Sequence, residues 1–248
     1  MDIESKIIDK FNEIKKLGFV KNNRPGNDGG VGNTFEDYLE VDENNQTEAD
    51  FENFEVKSKR QFTKSYMSLY TKKPTHPENG DSYMRETFGV YDEEYPDIKV
   101  LRTSIYAHRW SLVYKKLNIK LNVDRDAKRI VFCVADLDFN VINEEIYWSF
   151  DDIYAGAKKL NDLFVVNAET KTLDGEEYYF YKDALVYIGF KGIDKFIELI
   201  EKGKVRYDNR LGIYRTGTKK GSPHNHGGGF RISPKDIHEL YNNCIALN

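Results

Sequence analysis

The sequence predicts a mixed α/β fold (α+β or α/β), and three observations carry that expectation. Apolar residues recur at helical spacing in several stretches. Short runs rich in β-branched and aromatic residues, bounded by turn residues, lie between them. The two kinds follow one another in irregular order, with no repeat and no low-complexity segment. A chain of 248 residues, 40% hydrophobic and 31% charged, has the length and balance for one large body or two small lobes with real cores. Its 17 Tyr and 15 Phe supply large apolar faces for those cores.

In chain order, Ile3, Ile7, Ile8, Phe11, Ile14 and Leu17 recur at helical spacing, and Gly18 stops the helix. The Gly/Asn-rich stretch from Asn22 to Gly32 reads as a loop. Its glycines would let main-chain N–H groups approach a phosphate, but it lacks the Gly-Lys-Ser/Thr of a nucleotide-binding loop, and a plain connector is the simpler reading. Asn33 can cap a short helix from Thr34 to about Glu40, with Phe35 and Leu39 inward and Glu36 and Glu40 on another face. Phe54-Glu55-Val56-Lys57-Ser58 alternates as a half-buried strand does, and Tyr66 to Tyr70 reads as a second strand. Pro74 to Asp81 is a loop and Ser82 to Phe88 a short helix.

Further on, Leu117 to Val123 and Arg129 to Val134 flank Asp124-Arg125-Asp126-Ala127-Lys128 as a hairpin. Glu145 to Phe150 is a strand, Asp152 to Asp162 a helix, and Leu163 to Ala168 a buried strand. Tyr178 to Tyr181 gives a strand and Gly192 to Lys202 an amphipathic helix. Ser233-Pro234-Lys235-Asp236 is a helix start, with Ser as cap and Pro in the first turn. A division into two lobes is expected near Phe150, giving 1–150 and 151–248.

No apolar run approaches the ~18 residues of a membrane span. Met1-Asp2-Ile3-Glu4-Ser5-Lys6 lacks the basic-then-apolar order of a signal peptide, so a cytoplasmic setting is expected. Two cysteines, Cys133 and Cys244, exclude a disulfide scaffold and a cysteine-based zinc site.

The formal net charge of −4 hides a strong segregation. From Glu36 to Glu55 there are nine acids and no base; from Val56 to Lys73 there are six bases and no acid. From Lys202 to Arg231 eight bases face one acid, Asp208. A single charge run is usually a solvated face. Two basic tracts around one acidic cluster point instead to a polyanion, because local fields and not the total steer such a partner.

The acidic cluster has a specific chemistry open to it. Strand side chains two apart share a face, so Glu55 and Lys57 project together while Phe54 and Val56 point to the core. Asp50 lies five residues before Glu55, near enough to fold back to the same spot. Two carboxylates can hold Mg²⁺, which takes oxygen ligands and neutralises charge on a phosphate, and a lysine can orient the attacking water. Taken alone, such a spacing also describes a surface ion pair of little worth.

Three blocks then carry a resemblance: Gly32-Asn33-Thr34-Phe35-Glu36-Asp37, Asp50 with Glu55-Val56-Lys57, and His224-Asn225-His226-Gly227-Gly228-Gly229-Phe230-Arg231-Ile232. Together with Leu69 to Thr75, Ile146 to Asp151 and Asp208 to Gly212, they resemble the MvaI/BcnI family of Type II restriction endonucleases. The blocks keep their order across nearly the whole chain. The resemblance implies a PD-(D/E)xK nuclease core, related to the mismatch-repair nickase MutH, with a second DNA-recognition lobe. It implies Asp50 and Glu55 as metal ligands, the Val56 carbonyl completing the coordination, Lys57 as catalytic lysine, and Glu36 as an additional acid acting through water. The first acid is preceded by Ala49 where the motif often has Pro. Without the resemblance, Glu36 is an ordinary helix carboxylate.

The C-terminal block has groups that can read bases. Arg210 and Arg231 can each donate two hydrogen bonds to guanine, and Asp208 can accept from a cytosine amino group. His224 and His226 would face one side of an extended segment, while Lys219 and Lys220 suit phosphates. Two histidines without cysteine make a poor zinc site, and the adjacent His-Asn-His letters do not match the dispersed residues of HNH nucleases. The resemblance supports Asp208, Arg210, His224, His226 and Arg231 in the base-contacting lobe, while the histidines as plain surface residues stay open. The resemblance further implies Mg²⁺-dependent cleavage of double-stranded DNA at a short GC-rich, near-palindromic site of the CC-x-GG kind. It implies a monomer that nicks each strand in turn without a protein partner, beside a cognate DNA methyltransferase. A MutH-like nickase and an inactive DNA-binding module are the rivals.

Overall fold

The computed structural model describes residues 3–26, 29–39, 51 and 53–248. It forms two compact units: Met1–Ser65, Lys158–Lys191 and Ile237–Asn248 make the first, and Tyr66–Ala157 and Gly192–Asp236 the second. The expected single division near Phe150 therefore does not describe the chain, since Phe150 lies inside the second unit. The reason is topological. The strand Phe54–Arg60 pairs in parallel with Asp162–Leu173, and a parallel pair needs a long crossover between its strands. The stretch Tyr66–Ala157 falls within that crossover.

The sheet of the first unit runs in the order Val20–Lys21, Glu176–Phe190, Asp162–Leu173, Phe54–Arg60, and Tyr241–Leu247 also pairs with Glu176–Phe190. All its pairs except the parallel one are antiparallel. The helix Ile3–Lys16 buries Ile7, Phe11 and Ile14, and the helix Gly30–Leu39 buries Val31, Phe35 and Leu39. Both pack on Phe54, Val56, Phe164 and Tyr181 of the sheet. Phe35 meets Tyr181 with ring centroids 4.8 Å apart, and Phe11 meets Phe164 edge-on at 5.8 Å.

Two helices differ from expectation. The second begins at Gly30, not at an Asn33 cap, because the N–H groups of Gly32 and Asn33 already bond the Gly29 carbonyl, at 2.9 and 3.0 Å. The helix expected over Asp152 to Asp162 is Phe150–Ala157, followed by a 3₁₀ turn, Lys158–Leu160. The expected strands over Leu163 to Ala168 and Tyr178 to Tyr181 extend into a long antiparallel pair.

The second unit holds two sheets. One runs Tyr147–Ser149, Arg129–Ala135, Leu117–Asp124, Ser111–Val113 and includes the expected hairpin. The other runs Met67–Thr71, Gly229–Ile232, Val205–Ile213, Lys99–Ile105, Val90–Tyr91, with Pro223–Asn225 pairing Val205–Ile213. Tyr70, Trp148, Phe196, Tyr207 and Phe230 form its aromatic core, Trp148 and Tyr207 lying 4.5 Å apart. The polar ends of the buried rings are satisfied: Trp148 Nε1 and the Tyr207 hydroxyl both donate to the Lys72 carbonyl, at 3.2 and 3.0 Å.

Candidate functional site

In the first unit, the pleat of Phe54–Arg60 sends Phe54 and Val56 into the core, so Glu55 and Lys57 project from the other face. Glu55 is fully buried, at 0% exposure. A carboxylate out of water needs partners, and here they are unevenly shared. Lys57 Nζ donates to Oε1, and Lys159 Nζ lies 2.8 Å from the same oxygen. Oε2 is buried with no hydrogen-bond partner among the described residues. The two lysine side chains keep 26% and 21% exposure, so neither is fully withdrawn from solvent. The Tyr241 hydroxyl is likewise buried without a described partner, and its pKa is pushed well up by burial first, then by the charges of Asp162 and Glu55.

The other residues expected at this site fall out as follows. Asp50 lies outside the described residues. Glu36 is half-buried on the helix Gly30–Leu39, which packs on the Phe54–Arg60 strand. Its neighbour Asp37 is held by Arg24, whose hydrogen bond keeps the Asp37 carboxyl below the usual range. Val56 has its side chain in the core.

In the second unit, alternation along Val205–Ile213 sets Arg206, Asp208, Arg210 and Gly212 on one face. The register sets Arg231 opposite Arg206, Ser104 opposite Asp208, Arg102 opposite Arg210 and His224 opposite Gly212. Asp208 is the hub. Its Oδ1 accepts from Ser104 Oγ at 2.7 Å and lies 2.7 Å from Arg206 Nε. Its Oδ2 accepts from Arg206 Nη2 at 3.1 Å and lies 3.3 Å from Arg231 Nε, which is not aligned for a hydrogen bond. Any base contact by Asp208 has to share or replace one of these. Burial pulls the proton affinity of Arg231 below the ordinary arginine value, although Asp208 opposes it. Arg210 is exposed and makes no ion pair with a described residue.

The two histidines form a packed pair. His224 stacks on Tyr214 at 3.8 Å and meets His226 edge-on at 4.3 Å. His226 Nε2 lies 3.2 Å from the Ile213 carbonyl oxygen; as that oxygen can only accept, the neutral ring donates there and leaves Nδ1 as acceptor. Desolvation lowers both pKa values, with help from Lys219 at His224 and from His224, Arg102 and Arg210 at His226. Both rings are therefore harder to protonate than an ordinary histidine. Gly212 is required beside them, since a Cβ there would come within 2.5 Å of Arg102 Nη2 and 2.9 Å of His226 Cδ2. Lys219 and Lys220 are exposed on the turn before Pro223–Asn225. Thr71, Lys72, Lys73, Asn225, Gly227 and Gly228 line a cleft, where Lys72 is held by Asp152 at 2.6 Å and Lys73 is exposed.

The model of the MvaI/BcnI restriction endonuclease family matches residues 8–241. The chain belongs to that family. It is a restriction endonuclease, a site-specific deoxyribonuclease. Among solved structures it is similar to restriction endonuclease MvaI in complex with its cognate DNA substrate, with a TM-score of 0.91 and 28% identity over 99% of this chain and 98% of that one. It is also similar to MvaI in the absence of DNA, with a TM-score of 0.62 and 28% identity over 100% and 98% of the two chains. No curated protein sequence matches it. The mixed α/β class with a restriction-endonuclease-like core, expected from the sequence, is what this family member has.

Two residues of this MvaI/BcnI member escaped the sequence reading. Lys159 meets Glu55 from a turn about a hundred residues away, so no local spacing could reveal it. Arg102 shares the face of Arg210 only through the register of two strands distant in sequence.

Proposed function

We propose that this restriction endonuclease hydrolyses double-stranded DNA with Mg²⁺ at a short GC-rich, near-palindromic site of the CC-x-GG type. We read it as a monomer that nicks each strand in turn, beside a cognate methyltransferase. The observation that carries the metal is the buried Glu55 carboxylate, one oxygen gripped by two ammoniums and the other without a described partner. An orphaned carboxylate oxygen of that kind fits a hard cation. Glu55 Oε2, the Asp50 carboxylate and the Val56 carbonyl would hold it, with Glu36 acting through water. The ion, when bound, neutralises charge on the scissile phosphate and lowers the pKa of a water. Lys57 orients the attacking water and faces the phosphate.

Recognition falls to the polar strand face of the second unit. Arg210 and Arg231 donate to guanine O6 and N7. Asp208 either accepts from cytosine or holds Arg206 and Arg231 in line. His224 and His226 in their neutral form offer donors and acceptors without charge, and Lys219 and Lys220 grip phosphates. That the relative MvaI has been solved with its cognate DNA substrate supports this reading.

The test is digestion of a supercoiled plasmid carrying CC-x-GG sites. Mg²⁺ should give a nicked circle and then linear DNA with ends mapping to those sites, and a chelator should stop it. Linear product without a nicked intermediate would refute sequential nicking; absence of Mg²⁺-dependent cutting would refute the mechanism.

A further inference from the structure

We propose that Lys159 is a positioning residue of the nuclease site: it keeps hold of Glu55 Oε1, which frees Lys57 for the reacting phosphate and keeps Oε2 turned to the metal. This rests on the reading of Asp50, Glu55 and Lys57 as a metal-dependent site.

Three observations lead to it. Glu55 is fully buried, so its carboxylate must keep a donor at every stage of the reaction. Lys57, two residues along the same strand, spends one of its three N–H donors on Oε1 and stays tethered there unless another cation holds that oxygen. Lys159 Nζ, an ion-pair partner 2.8 Å from the same oxygen, is placed to take it over alone with a small turn of its ammonium. Its backbone suits the task. The 3₁₀ turn Lys158–Leu160 is anchored by the fully buried Leu160 and runs directly into the strand whose Leu163 pairs with Glu55. An ordinary surface ion pair does not have a fully buried partner.

An ammonium beside a metal ligand has two opposed effects. It improves the ligand's geometry, and it repels the ion. Loss of Lys159 should therefore slow catalysis while it tightens the ion, a combination that mere damage to the fold does not produce.

The experiment compares wild type, Lys159→Met and Lys159→Arg in three measurements. These are the Ca²⁺ concentration half-saturating binding to a CC-x-GG duplex, single-turnover cleavage in saturating Mg²⁺, and thermal unfolding. The Met variant should cleave about 10–100-fold more slowly, as loss of a residue that orients a ligand does. Its half-saturating Ca²⁺ should fall by about threefold or more. The Arg variant should stay near wild type in both. An unchanged cleavage rate, or a Met variant in which rate, Ca²⁺ binding and unfolding temperature all decline together, would overturn the assignment. A wild-type protein with neither Ca²⁺-dependent binding nor Mg²⁺-dependent cleavage would remove the nuclease mechanism and this inference with it; a normal wild type with an unchanged Met variant removes this inference alone.

Discussion

Asp208→Asn separates two roles for the one acid of the C-terminal basic tract. In the structure Asp208 sits between Arg206 and Arg231, which face each other across paired strands. The side chains of Asp208, Arg206 and Arg231 are 13%, 17% and 16% exposed, so solvent screens little of their interaction. Removing one member of such a buried set costs roughly 3–5 kcal/mol, because it leaves like charges uncompensated. Arg206 keeps its bond to the Tyr106 hydroxyl at 2.9 Å and its stacking on Tyr66 at 3.7 Å, which points to the lower half of that range. At about 2–4 °C per kcal/mol for a body of this size, the unfolding midpoint should drop by roughly 6–16 °C. Circular dichroism melting measures the drop, and duplex binding in Ca²⁺ gives the second readout. If Asp208 organises the arginines, binding weakens for CC-x-GG and for substituted sites together with stability. A variant with an unchanged midpoint that relaxes discrimination at a single C·G pair would refute that reasoning and make Asp208 a base reader.

Three further outcomes are expected. Asp50→Ala and Lys57→Ala should abolish plasmid cleavage while duplex binding in Ca²⁺ persists, and near wild-type cutting by either would remove its catalytic assignment. Gly212→Ala should lower stability, since its Cβ would strike the packed His226 ring as well as the flexible Arg102 guanidinium, and should weaken site discrimination by ~1–3 kcal/mol through displaced Arg102 and His226. The folded pKa values of His224 and His226 lie below the ordinary 6.5, so the unfolded chain binds protons first as pH falls. Their stabilising contribution is complete above that value and is lost as pH drops through the lower folded values. The urea midpoint should decline between pH 7 and pH 5, and replacing both histidines by Gln should flatten that decline.

How much of this was legible depended on sequence distance. The alternation of Phe54 and Val56 with Glu55 and Lys57 is a local pattern of period two, and the strand has it. The Leu117 to Val134 hairpin carried its own turn residues and formed as expected. The start of the helix at Gly30 was missed because glycine is a poor helix former, and the closing bonds to Gly29 come from the backbone. The division into units was missed for a deeper reason. A parallel strand pair leaves no mark at one point of the sequence, and no composition shift at Ser65 or Lys158 announces a crossover. Lys159 and Arg102 were hidden in the same way, each a neighbour by register alone.

The state of Glu55 is hard to understand as a stability device. On this strand face an apolar side chain would pack against Leu163 without needing any charge partner, and replacing buried ion pairs by apolar groups is often stabilising. A buried carboxylate with one oxygen unpartnered is instead what a protein keeps when the group has work to do. The cost should then be recovered when a cation arrives. Ligand that binds only the folded state adds RT ln(1 + [L]/Kd), about 2.7 kcal/mol at a hundred times the dissociation constant. Ca²⁺ added to the protein–duplex complex should therefore raise its unfolding midpoint, and Glu55→Gln should erase that increment, over and above the drop in the metal-free midpoint that follows when Lys57 and Lys159 lose their counter-charge. A Ca²⁺ increment that survives in the Gln variant would mean that the ion binds elsewhere and that the orphaned oxygen has some other use.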